Sequence, residues 1–261
     1  MKAKKLSICF ALICLVLSGG LQAQEETAPK IRKISIDPGI GLTYFSRTVT
    51  CEEEQDLFGL TSYFIHLVTE VEIQDGFFIN AVLGISYANF DEFTFRKLPI
   101  SIDLNVGDIR GYLFGIEAKK DLLRVSNFQL RADGQFLYYL SDKETWTIPE
   151  LNVEGSVNGT SQWMKAMGGV SFMYTGFTPF VPFLQVSYDQ FWGKFNMDQS
   201  ILSLSGSEEK KFNAVNDINV SLGTVYDIAD SLSLRAMVML LPYDKLKKFD
   251  WGFTIRILYI L

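Results

Sequence analysis

The chain has 261 residues, of which 48% are apolar, 21% charged and 14% aromatic, enough for one packed or membrane-embedded body and incompatible with a disordered chain. One histidine and three cysteines leave few parts for metal, thiol or imidazole chemistry, so no cofactor, metal site or catalytic residue is expected. The formal net charge of -6, without a basic cluster, excludes a nucleic-acid-binding protein.

Residues 1–23 combine a basic start (Lys2, Lys4, Lys5), an apolar run from Leu6 to Leu17 and small residues before Gln24, the three-part pattern of a secretory signal peptide. The apolar run is too short for a retained membrane helix, and Ile8 and Ile13 stand where lipid anchoring at Cys9 or Cys14 would need a small residue. Cleavage there leaves 21 basic against 30 acidic residues, a net charge of -9, and one cysteine, Cys51, so no internal disulfide. Residues 24–33 are expected to be a short periplasmic segment, followed by a single domain over 34–261.

From Ile34 onward apolar and polar residues alternate with period two, the pattern of half-buried strands. At the end of the chain Trp251, Phe253, Ile255, Ile257, Tyr259 and Leu261 share one face, with Asp250, Gly252, Thr254 and Arg256 on the other. Ten segments fit: 34–46, 61–73, 77–89, 109–119, 128–141, 163–174, 179–191, 213–227, 232–242 and 249–261. Short turns at 74–76, 175–178 and 228–231, and a slightly longer one at 120–127, alternate with long links near 47–60, 90–108, 142–162 and 192–212. Long on one side and short on the other predicts a ten-stranded antiparallel transmembrane β-barrel, with eight or twelve strands as the neighbouring alternatives.

Which face meets lipid is decided by where the aromatics sit. Tyr44, Tyr63, Phe77, Tyr87, Tyr112, Phe128, Tyr138, Tyr174, Phe180, Tyr188, Tyr226, Trp251 and Tyr259 cluster near strand ends on the apolar face, with aliphatics between them. Phe77 and Tyr87 are ten residues apart. At about 3.3 Å per residue and a tilt near 40 degrees that is about 25 Å along the membrane normal, the height of an apolar band between two interfacial girdles. The charged residues Asp37, His66, Glu70, Glu72, Glu117, Arg131, Asp133, Lys165, Asp189, Asp227, Arg235 and Arg256 fall on the opposite parity and are expected to line a polar, partly plugged lumen. Arg110 breaks parity at the loop-side rim, within reach of anionic headgroups.

The final strand carries the most specific feature. Asp250-Trp251-Gly252-Phe253-Thr254-Ile255-Arg256-Ile257 resembles the terminal assembly signal of bacterial outer-membrane β-barrel proteins of the small, porin-like kind: a polar residue, glycine two places on, then alternating hydrophobics. That family usually ends on an aromatic, whereas this chain ends on Leu261 with Tyr259 two before it. The resemblance, over about 34–261, implies residence in the outer membrane of a Gram-negative bacterium after export. It also implies insertion by the barrel-assembly machinery and surroundings of outer-membrane lipid and lipopolysaccharide.

Function is less determined. A structural or narrow solute-passage barrel is the leading expectation, a surface adhesion or ligand-binding barrel the second, and an outer-membrane hydrolase the third; no solute or host ligand is named by the residues. His66 with Glu70 could in principle form a base pair, but no second carboxylate arrangement or His-x-Ser pattern accompanies it. Glu52, Glu53, Glu54 and Asp56 lack calcium-loop spacing and read as a solvated loop beside an exposed Cys51.

Overall fold

The computed structural model describes residues 35–52, 57–91, 93–104, 107–147, 155–243 and 248–261. The expected signal peptide, the segment 24–33 and most of the acidic loop, 53–56, lie outside the described residues. Among the described residues fourteen strands follow in chain order: β1 (Ser35–Cys51), β2 (Leu57–Gln74), β3 (Phe77–Asp91), β4 (Phe93–Phe95), β5 (Ile102–Leu104), β6 (Ile109–Val125) and β7 (Phe128–Ser141). The second half contains β8 (Glu144–Thr147), β9 (Gly155–Tyr174), β10 (Phe180–Ile201), β11 (Leu204–Ala214), β12 (Ile218–Ala229), β13 (Leu232–Tyr243) and β14 (Lys248–Tyr259).

Ten of these close a ring. Antiparallel pairing runs β1-β2-β3-β6-β7-β9-β10-β12-β13-β14 and returns to β1, with Gly39 opposite Leu258 and Ser46 opposite Trp251 at the seam. No main-chain edge is left open around the wall, which is the condition for a sheet to stand in hydrocarbon. The turns at Asp75-Gly76, Ser126-Asn127 and Asp230-Ser231 mark one end of the ring, and Gly76 takes a φ of +67° that suits glycine. Register shifts at Glu72/Gln74, Asp121/Leu123 and Asp227/Ala229 all lie beside these turns, where bulges bend strands at a barrel rim.

At the other end the strands run further than expected. The links near 142–162 and 192–212 are largely strand: β9 begins at Gly155, and β10 reaches Ile201 before turning into β11. Here period two persists, with Val157, Phe195 and Met197 pointing in, but the outward partners Asn158, Asn196 and Asp198 are polar because this part of the wall stands in water. An alternation of small polar and apolar residues therefore read as loop. The segment 213–227 is also two elements. β11 ends at Ala214, and Asn216 turns the chain by accepting the Ile218 amide at 2.8 Å, so that β12 enters the ring separately. Above the ring β11 lies between β10 and β1, pairing Phe212 with Gly193 on one side and Cys51 on the other.

The outward surface is apolar where the ring is regular. Leu67, Leu222, Ile65, Leu83, Ile116 and Val238 are each at least half exposed, although they occupy the middle of long strands. A continuous belt of this kind has no aqueous rationale and fits contact with lipid tails.

The candidate functional site: a capped, charged lumen

Aromatic rings bracket the belt. Toward the long-hairpin end stand Tyr44, Tyr63, Tyr87, Tyr112, Tyr138, Tyr188 and Trp251; toward the short-turn end stand Phe77, Phe128, Tyr174, Phe180, Tyr226 and Tyr259. Register makes neighbours of several: Tyr63 opposes Tyr87 with ring centroids 5.1 Å apart, Phe128 opposes Tyr174 at 5.0 Å, and Tyr44 meets Trp251 at 4.9 Å. Arg110 is exposed on the outward face, directly opposite Tyr87 on the neighbouring strand.

Inside the ring the charged residues gather into linked groups. Glu117 on β6 accepts both terminal nitrogens of Arg256 on β14 at 2.6 Å, Gln135 Nε2 at 2.7 Å and Asn80 Nδ2 at 3.0 Å. Glu70 on β2 accepts both terminal nitrogens of Arg235 on β13 at 2.7 Å and Lys119 Nζ at 2.8 Å. Asp189 divides between Arg47 at 3.1 Å and Lys165 at 3.2 Å, Arg131 binds Asp121 at 2.7 Å, and Ser171 donates to Asp133. A bidentate guanidinium with further amide donors uses most of a carboxylate's acceptor capacity, which is what a buried pair needs to offset its desolvation.

His66 is 1% exposed on β2, wedged between two close strands. A Cβ at Gly41 would lie 2.5 Å from its Nε2 and one at Gly84 2.8 Å from its Cβ, so glycine on both neighbours admits the ring. Glu70 is engaged by Arg235 and Lys119, not by the imidazole. The structure does not bring His66 and Glu70 together as an acid-base pair. Glu72, Asp37 and Asp227 stand apart from the central network, near the short-turn rim. Glu72 accepts the Gly76 amide at 3.0 Å, Asp37 accepts from Ser35, and Asp227 is exposed.

Arg47, Lys119 and Asp121 belong to this network; Arg47 and Asp121 sit in stretches that read as links, and Lys119 is the last residue of the expected strand 109–119. Parity was the available signal: Arg47 continues the inward series of Asp37 and Thr43, and Lys119 and Asp121 continue from Glu117.

The ion-pair network is densest in the short-turn half of the lumen, while Arg47 with Asp189 and Lys210 with Glu208 lie among the rings further out. The outer half is filled by aromatics: Phe45, Tyr139, Trp163 and Phe191 form one layer, with Trp163 stacked on Tyr139 at 5.3 Å. Above it Phe58, Phe90, Phe195 and Phe212 surround Phe93 and Phe95, which the β4–β5 hairpin inserts from the β3–β6 link. Phe93 stacks on Phe58 at 4.3 Å and Phe95 meets Phe195 at 5.4 Å. The link is tied down by the Lys97 amide to Glu208 and the Ile100 amide to Gln199 Oε1, both at 2.8 Å. Cys51, expected to be exposed, is buried at the edge of this cluster because β1 carries its inward parity that far.

No family model matches the chain, and no curated protein matches it in sequence. Among solved structures it is similar to the outer membrane protease OmpT from Escherichia coli at 12% identity and a TM-score of 0.48, covering 91% of this chain and 99% of that one. The translocator domain of the autotransporter NalP from Neisseria meningitidis aligns at 11% identity and a TM-score of 0.42, covering 98% and 97%. Ail, the attachment invasion locus protein of Yersinia pestis, aligns at 10% and 0.31, covering 86% and 97%. These similarities are too distant to carry function. Ring closure, the apolar outer belt and the paired aromatic girdles, taken from this chain's own residues, make the fold that of an outer-membrane β-barrel.

Proposed function

We propose that the protein is a closed barrel of the bacterial outer membrane, structural in role and non-catalytic, which holds its lumen shut on the outer side and displays the β10–β11 and β8–β9 ribbons above the bilayer. The observation that carries this reading is the β4–β5 hairpin seated in the barrel mouth, with Phe93 and Phe95 fully buried among rings from four other strands. A tightly packed aromatic layer leaves a hydrated ion no continuous polar path, whereas an open pore needs one. The hydrolase reading finds no support at His66, whose nearest carboxylates are held in salt bridges. Export, insertion through β14 by the barrel-assembly machinery and contact of Arg110 with lipopolysaccharide belong to the same proposal.

Planar-bilayer recording is the test. The intact protein is expected to add no resolvable steps, while deletion of residues 93–103 opens ion-sized conductance in a barrel that still folds. Nanosiemens steps from the intact protein would overturn the closed-lumen reading.

A further inference from the structure

Beneath the aromatic layer the lumen retains a cavity of about 140 Å³, comparable with the roughly 150 Å³ that accommodates a benzene ring in an engineered protein core. Its lining mixes two chemistries along the same strands: Met167, Met173, Met237, Met239, Phe64 and Phe183 alternate with Lys119, Lys165, Arg235, Arg256 and Gln185. Thioethers and rings form an adaptable apolar surface that suits a small hydrophobic body of variable shape.

The polar lining residues carry unused donors. Lys119 shares Glu70 with an arginine that already holds both carboxylate oxygens, and Lys165 shares Asp189 with Arg47. Each ammonium has three N–H groups, so both lysines keep donors beyond these ion pairs. The Nε atoms of Arg235 and Arg256 are buried without a hydrogen-bond partner. Gln185, 6% exposed, also lines the cavity, and its Oε1 acceptor has no partner among the described residues. Five cationic side chains line the cavity against two carboxylates, Glu117 and Asp133. Solvent reaches its short-turn edge, where Arg235 keeps 26% of its side chain exposed.

We infer that this cavity is a binding site for a small amphipathic monocarboxylate of about benzoate size, entering from the periplasmic end. The carboxylate is taken by the spare donors of Lys119 and Lys165, and the apolar body lies against the methionines and Phe183. This goes beyond a structural role and is independent of conductance, since a barrel closed on its outer side can still hold a ligand.

Benzoate binding to the full barrel in detergent micelles, measured by calorimetry with tight-packing variants as controls, tests it. Saturable binding of one benzoate per chain is expected. It should weaken about tenfold or more in Lys119→Met/Lys165→Met and disappear in Met237→Trp, which fills the cavity, while Lys194→Met on the outer ribbon leaves it unchanged. Heat-modifiable gel mobility shows in each case that the barrel has folded. Non-saturable uptake by the intact protein, retention of binding in folded Met237→Trp, or equal affinity for benzyl alcohol would overturn the inference.

Discussion

Glu117 illustrates how much a single inward residue carries. Its carboxylate joins four strands by accepting from Asn80 on β3, Gln135 on β7 and Arg256 on β14. Replacing it with Gln keeps the shape but leaves the Arg256 guanidinium buried without its counter-charge, a loss of about 3 to 5 kcal/mol by analogy with other broken buried pairs. Replacing both partners, as Glu117→Met/Arg256→Met, is expected to cost much less, because no isolated charge remains; urea unfolding from vesicles measures the difference. Alternation alone placed Glu117 and Arg256 on the inward side. It could not pair them, since they are 139 residues apart and meet across the lumen only once the ring has closed. The same limit hid Lys119 as the third member of the Glu70 group.

At the scale of elements, the wall and the cap were unequally legible. Strands between the girdles announce themselves because hydrocarbon requires every second residue to be apolar; above the membrane that requirement lapses, and β9 to β11 lose their contrast. The β4–β5 hairpin had a visible Phe93-Thr94-Phe95 alternation, but its descent into the mouth depends on the ring diameter and on Phe58, Phe90, Phe195 and Phe212, which local sequence does not reveal. The wall gives a directional prediction. Leu83 lies on the outward face of β3, midway between Phe77 and Tyr87, so Leu83→Arg places a charge in lipid at a cost of about 2 to 4 kcal/mol. Arg235→Val instead removes a lumen cation whose partner Glu70 retains Lys119. Folding yield into vesicles, read by gel mobility, should fall more for Leu83→Arg than for Arg235→Val, and the reverse order would indicate inverted faces.

For the whole molecule, one closed ring separates two environments with opposite demands: lipid outside, where only apolar side chains are tolerated, and a lumen inside, where ion pairs are densest toward the short turns and rings toward the outer end. The central claim is that the outward parity lies in hydrocarbon. Site-directed nitroxides tested in a Cys51→Ser background in bilayers measure this directly, using oxygen, which concentrates in lipid, and a water-soluble nickel chelate as paired relaxants. Labels at Leu67, Leu83 and Leu222 are predicted to respond strongly to oxygen and hardly to nickel, while labels at Val68, Val82 and Ser221 respond weakly to both. Nickel access at the first three positions, or the strong oxygen response at the second three, would contradict the account.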